Sequence, residues 1–500
     1  MNTITTIVKR EYREFWRRGL LRWLLLPVLA LLVMATLVGF QRHHRYQAEM
    51  AAGTELSRQH WENQGEKNPH SAAHYGIYLF KPLNALSFFD FGVNPYTGSV
   101  FFLEAHYRSN AAFAAINDRS TLGRFGIFSP AFLLAFIAPL LIIFFGHASV
   151  SGERRRGTLD LVAATGSSPR HWLLGKWLAT MSLIPPLVLT VLATAVIAAA
   201  IHGPIPSESW WRLAGLALLY AVYLGVFANL SLIASALTKH SGASLMLLVA
   251  FWIGSGLALP RLAASTSEQL HPTPNQVQFE KLMSEEKKAG LPGDGDKQAR
   301  TEKLKEETLA SYGVDKLEDL PINFNALAMQ ADEEYSDRVF DKHYRELFTI
   351  HANQDRIHRL FSLLSPTLAV RLSSMALAGT SPEDHRHFSG QAEIYRREFV
   401  ALLNHNMMVH SKTGDWGYKA DGELWHAMPT FKSQPMDPRF QAARFGNHGA
   451  ILAFWFLIST ALLLGWLPRR VFRRSTGSGP IREPHATDPK PAHGEVTTPC

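Results

Sequence analysis

The sequence predicts a mainly α-helical, polytopic membrane protein: six transmembrane helices with a composite, mostly helical domain outside the membrane that carries minor β structure. Three observations predict it. Six apolar runs reach the length that crosses a bilayer. Arginine and lysine cluster at those ends of the runs that face one side, as short loops on the cytoplasmic side do. Two long polar stretches, 41–124 and 263–446, both fall on the other side.

Residues 1–22 read as a basic amphipathic helix that offers Ile7, Tyr12, Phe15 and Trp16 to a membrane interface, or as a plain extension of the first span. The first span is 23–40. No small-x-small cleavage site follows it closely, so it reads as a retained anchor rather than a signal peptide. The polar stretch 41–124 contains a helical start over 46–64, strand-like pieces at 74–80 and 99–103, and turns at Asp90, Gly92, Asn94, Pro95 and Gly98. The second span, 125–147, holds Pro130 and Pro139, and proline inside a membrane helix frees a carbonyl and marks a kink. A basic loop, 148–172, leads to the third span, 173–201, with Pro185 and Pro186. The whole third apolar run exceeds one perpendicular crossing, so its first residues are expected along the interface.

Trp210 and Trp211 open the fourth span, 210–237, with aromatic rings suited to the interface. The fifth, 242–262, carries Gly254, Gly256 and Pro260, which permit close helix contact or a break near its outer end. In 263–446 a long helical periodicity covers 324–364. Ser365–Pro366 and Ser381–Pro382 then start two further helices, the first closed by Gly379 and the second reaching about 410. The sixth span, 450–467, stops at Pro468 and Arg469, and the tail 468–500 is composed like a disordered segment.

The net charge of +8 sits largely beside the spans, and no nucleic-acid motif accompanies it, so charge alone gives no reason for a nucleic-acid partner. The positive-inside rule places both termini in the cytoplasm. Cys500 is the only cysteine, which excludes an intramolecular disulfide and any cysteine-based metal site. The 22 histidines, among them His43, His44, His385 and His387, form no H-E-x-x-H pattern, and no metal site is assigned. The spans offer no embedded Asp, Glu or Lys for a proton relay. Their polar residues Asn229, Ser231 and Ser235 either line a path or bond helix to helix.

The basic loop has its own pattern, in which Gly152, Glu153, Arg154, Gly157, Thr158, Leu159, Leu161, Pro169, Gly175 and Lys176 stand out. It resembles the cytoplasmic loop of type-2 ATP-binding-cassette (ABC) permeases, roughly G-E-x-x-x-G-T-L-x-L-L, then a proline, then G-K. Val162 replaces the second leucine of that pattern, and the spacing to Pro169 is longer. The resemblance implies a coupling helix over 157–164 that lies in a groove of a separate ATPase subunit. Glu153 and the arginines would make charged contacts there, and Thr158 would cap the helix. The alternative is a solvated basic loop that only sets topology.

A phosphate-cradling loop is absent around Gly175 and Lys176, because Arg170 and Trp177 stand where glycine and Ser or Thr are needed. ATP and Mg²⁺ would therefore belong to the partner. A second resemblance is to a bacterial permease subfamily with a large periplasmic domain of unknown function. It is carried by Leu364 to Pro366, Ala376 to Thr380, His385, His387, Phe388, Ala392, Glu393, Tyr395, Arg396, Leu403 and Asn404, and by His74 to Gly76 and Leu103 to His106.

Together these imply an exporter subunit in the bacterial inner membrane, pairing with a second copy or a sister permease and with two ATPases. Membrane lipids surround it. The alternatives are a mechanotransmitter that works on a periplasmic partner without transport, and a membrane-anchored periplasmic enzyme, which leaves the loop unexplained.

Overall fold

A computed structural model describes residues 3–112, 114, 117 and 127–471. An N-terminal helix, Thr3–Arg17, precedes six helices long and apolar enough to cross a membrane: Leu21–Glu62, Pro130–Arg155, Pro169–His202, Ser207–Leu237, Ser241–Leu270 and Pro438–Trp466. The chain is thus a helical, membrane-spanning protein with a small two-stranded sheet. The N-terminal helix, the 151–176 segment and the residues after Pro468 meet at one end of the bundle, here the loop end. The opposite end carries the large polar domain.

Proline sets the local geometry of four of these spans. π-helical turns occupy Leu21–Leu25, Leu133–Ile137, Gly254–Ala258 and Leu462–Trp466. Each lies just before a proline, respectively Pro27, Pro139, Pro260 and Pro468. A proline ring clashes with the carbonyl four residues earlier and brings no N–H to it. In every case that carbonyl belongs to the middle residue of the π turn, so widening the turn relieves the clash.

Several spans begin or break elsewhere than the sequence suggests. The second helix starts at Pro130, with Ser129 as its N-cap accepting from the Phe132 N–H, so Pro130 is a first-turn residue and not a kink. The part of the expected span at 125–126 lies outside the described residues. The third is broken at Ser182–Leu183 into Pro169–Met181 and Ile184–His202, because Pro185 and Pro186 can only enter a fresh first turn. The first and fifth helices run on to Glu62 and Leu270, since no breaker follows the apolar run. The expected disordered tail lies outside the described residues from 472 onward.

The polar domain is composite. β1 (Ile77–Phe80) pairs antiparallel with β2 (Val100–Leu103), Ile77 opposite Leu103 and Phe80 opposite Val100. The expected strand at 74–80 is shorter than its pattern, because Asn68 caps a helix that Pro69 opens and that absorbs His74. Trp61, Ala72 and Ala105 from the first polar stretch share a core with Phe399, Leu403 and Trp425 from the second. The Trp61 indole donates to Trp425 O at 3.1 Å, and the Trp425 indole donates to Gly65 O at 2.8 Å.

One helix of this domain leaves it. Pro366–Ala378, capped by Ser365 and closed by the left-handed Gly379, packs between the fourth and sixth spans. Its Ala369, Val370, Leu377 and Ala378 belong to the core of the bundle itself. We refer to it as the wedge helix. The sequence places its start and stop correctly but assigns it to the outer domain, because its alanine- and serine-rich face reads as ordinary helix.

Small side chains let the wedge approach, and hydroxyls bind it to the carbonyls that proline leaves bare. Pro139 cannot donate to Ala135 O, and the Tyr223 hydroxyl does so at 2.7 Å. The same hydroxyl lies 3.0 Å from Thr367 Oγ1 on the wedge. In the fifth span the Leu259 N–H bonds to Gly254 O, and Ser255 O is taken instead by the Ser365 hydroxyl at 2.6 Å. In lipid such carbonyls have no water to turn to.

Tyr223→Phe therefore lowers stability by about 1–2 kcal/mol. The check is the midpoint of detergent-induced unfolding, with the exposed Tyr96→Phe as an unaffected control.

Candidate functional site

The loop end is built around one buried cation. Lys176 Nζ lies 2.8 Å from Glu11 Oε1 and 2.8 Å from Glu153 Oε1, and all three side chains are at most 5 % exposed. Arg10 approaches the same Glu153 oxygen at 3.5 Å. The ammonium also sits 4.9 Å from the centre of the buried Trp172 ring. A lysine and two carboxylates withdrawn from water are tolerable only as a hydrogen-bonded set. The set joins three segments: the N-terminal helix, the turn after the second span and the start of the third.

The N-terminal helix consequently packs inward instead of lying on an interface. Ile7 presses on Gly175, where an added Cβ would come within 2.8 Å of Ile7 Cβ. The Tyr12 hydroxyl meets Ser182 Oγ at 2.5 Å, and Phe15 packs edge-on against Phe145. Of the four residues expected at the interface, only Trp16 faces outward.

Beyond Glu153 the chain turns at Gly157, whose φ of +72° is the left-handed value that glycine adopts without strain. The helix Thr158–Ala164 follows, where one is expected. Leu159 is fully buried among Val150, Trp172, Leu173 and Leu232, while Leu161 is 68 % exposed. Arg155, Arg156 and Asp160 are also exposed. Arg154 donates to Ala236 O and Thr238 O at 2.9 and 2.6 Å, closing the C-terminus of the fourth span.

Three expectations are corrected here. Glu153 cannot offer a charged contact to a partner, because its carboxylate is buried on Lys176. Thr158 does not cap its helix: its hydroxyl donates to Glu153 O at 3.2 Å. Lys176, at the start of the third span where the chain is expected along the interface, is instead buried inside the helix. Gly152 and Leu159 are likewise interior, and Pro169 opens the third span behind Ser168. The surface of this element is therefore Gly157 and Leu161 with the neighbouring charges. Glu11 was missed. Ile4, Ile7, Glu11 and Phe15 share one helical face, and an acid on that apolar face is the signal of a buried cation.

Asn229, Ser231 and Ser235 are all fully buried; Asn229 and Ser235 bond helix to helix, and Ser231 packs against the second span. Asn229 accepts from the Trp177 indole at 2.7 Å and donates to Ser459 Oγ and Thr460 Oγ1 at 2.9 and 2.8 Å. Ser231 Oγ donates to Phe227 O, and its Cβ lies 2.5 Å from where a Cβ on Gly146 would stand. Ser235 Oγ accepts from the Val150 and Ser151 N–H groups. A cavity of about 460 Å³ lies higher up, between the second, fourth and fifth spans and the wedge. Phe132, Phe136, Tyr220 and Trp252 line it, and its charged residues are Asp90 and Arg371.

The outer domain has a second concentration of charge. Arg396, fully buried, donates to Glu393, Glu333 and Asp337. Burial raises the Glu333 pKa, yet His106 and Arg396 more than offset this, and the carboxyl is held below its ordinary value. Beside it His70, His74 and His106 converge, with their nearest nitrogens all within 4.8 Å of one another. Burial, then the two other imidazoles, holds the His70 pKa down at about 4. His106 also borders a cavity of about 650 Å³ lined by Arg108, Lys287, Lys297, Phe340 and Tyr344.

Residues 276–434 match a family described as a domain of unknown function, DUF3526. The DUF3526 segment thus contains Glu333, Arg396 and the whole wedge helix, so the matched family covers the part of the outer domain that enters the bundle. No curated protein matches the chain.

Lys176→Met leaves two buried carboxylates facing each other and costs about 3–5 kcal/mol. Thermal unfolding in detergent measures it. Combining it with Glu11→Gln and Glu153→Gln is expected to recover most of that loss.

Proposed function

We propose that the chain is the membrane subunit of a bacterial ABC transporter, an exporter of apolar or amphiphilic cargo driven by separate ATPase subunits. It would lie in the inner membrane with both termini in the cytoplasm and the DUF3526 segment, apart from the wedge helix, in the periplasm. Two copies, or this chain and a sister permease, would stand on two ATPases that hold ATP and Mg²⁺.

One observation carries this reading. The helix Thr158–Ala164 is rooted in the core through Leu159 while Leu161 projects from it, and its base is fixed to the third span through Glu153 and Lys176. A lever needs that combination, an apolar knob for a partner's groove and a stiff root that turns its displacement into motion of the spans. The cavity beside Trp252, mostly apolar and charged only at Asp90 and Arg371, suits an amphiphile.

A second reading is favoured by the wedge helix. It fills the space between the fourth and sixth spans, and Asn229, Ser231 and Ser235 are spent on helix contacts and not on a path. A mechanotransmitter, in which ATP-driven motion reaches a periplasmic partner and nothing crosses, fits a closed bundle of this kind.

Leu161→Asp is expected to abolish capture of the cognate ATPase and stimulation of its hydrolysis, with the unfolding midpoint of the chain unchanged. Undiminished capture contradicts the reading. Leu159→Asp is no substitute, since it disrupts the core. The two readings separate on a cross-link between Gly215→Cys and Leu377→Cys, whose side chains would touch, made in a Cys500→Ser background. Fixing the wedge stops cargo efflux from vesicles if a cargo passes, whereas a transmitter yields no efflux with or without the cross-link.

A further inference from the structure

The geometry points to a divalent transition-metal site in the outer domain, formed by His70, His74 and His106 and oriented by Glu333. His70 and His74 are one turn apart on Pro69–Tyr75, so both imidazoles lie on the same face of that helix. His106 comes from the turn after β2. The ring centres are 4.8 Å apart for His70 and His74, 4.9 Å for His74 and His106, and 5.5 Å for His70 and His106.

His106 is held in place from three directions. Its Nδ1 pairs with the buried Glu333 carboxylate, its N–H donates to Glu333 Oε1 at 2.9 Å, and its carbonyl accepts from Lys287 Nζ at 2.8 Å. Its φ of +69° makes it the single non-glycine residue in the left-handed region among the described residues. A bulky side chain persists there only when its surroundings impose it, and such strain concentrates at functional positions. A scatter of surface histidines has no use for that cost.

The carboxylate on Nδ1 leaves Nε2 as the ligand, which is the carboxylate–histidine–metal arrangement that raises imidazole basicity and fixes the ring. Three imidazole nitrogens suit zinc, copper(II) or nickel, and a fourth position stays open to water or another ligand. In a tetrahedral zinc site the nitrogens stand about 3.3 Å apart. Rotation of the His70 and His74 rings toward His106, which Glu333 holds, closes the remaining distance. A bound ion would fasten the helix Pro69–Tyr75 to the hairpin and, through Glu333, to the long helix Phe324–Ser362. This inference is independent of the ATPase reading.

The test uses the full chain in detergent, purified without a polyhistidine tag and stripped with chelator. It is titrated with Zn²⁺ against a chelating dye and with Co²⁺ by absorption. One site per chain is expected, with a tetrahedral cobalt spectrum. Glu333→Gln should weaken it roughly 10–100-fold, while His74→Ala should abolish the cobalt bands and the site. The exposed His60→Ala is the control and should bind as wild type does. Because His74 is exposed, its substitution leaves folding intact. Wild-type protein without a stoichiometric site, or His74→Ala binding like wild type, overturns the assignment.

Discussion

A proline in a membrane helix leaves the carbonyl four residues before it without a donor, and lipid supplies no replacement. The packing of this protein follows from how that debt is met. Prolines at 27, 139, 260 and 468 widen their spans into π turns. In the second span the bare Ala135 carbonyl is then covered by Tyr223, and in the fifth the Ser255 carbonyl, passed over by the π turn, is covered by Ser365. Tyr223 lies on the fourth span and Ser365 heads the wedge helix. The requirement of one span thus becomes the glue of its neighbours, and the wedge is held in the bundle by polar bonds that lipid cannot compete for.

The fourth span is where these bonds meet. It is the most enclosed of the six, with 67 % of its apolar window buried. Near one end Arg212 donates to Leu377 O at the C-terminus of the wedge, and Tyr220 donates to Ser374 Oγ. Toward the other end Asn229 holds the third and sixth spans, and Ser235 and the final carbonyls hold the segment that carries Glu153. From Tyr220 to Ser235 the helix rises about 22 Å. A displacement at the loop end therefore reaches the wedge through a single stiff element rather than through a chain of loosely packed side chains.

Much of this was legible in the sequence. Six spans, the N-terminal helix, the short helix after Gly157, and the starts at Ser365 and Ser381 follow from hydropathy, caps and glycine, all of which are local signals. What was not legible is long-range pairing. Glu153 and Lys176 were recognised by their pattern, but their burial depends on Glu11, far away in the chain. The wedge has the composition of an ordinary helix, and only its neighbours place it in the bundle. His70, His74 and His106 come from separate pieces of the first polar stretch, and no spacing rule unites a helical pair with a turn residue. Strand ends were misread for a related reason, since the Asn68–Pro69 helix start overrode the β pattern around His74.

The central claim is that the loop end and the wedge are mechanically one piece through the fourth span. Hydrogen–deuterium exchange of the chain bound to the ATPase subunit proposed for it, nucleotide-free against ATP-trapped, tests this most directly. The account predicts that protection changes together in 158–164 and 366–378, and that Lys176→Met removes the change in the second segment while the first still responds. A change confined to 158–164 in the unmodified chain would contradict it.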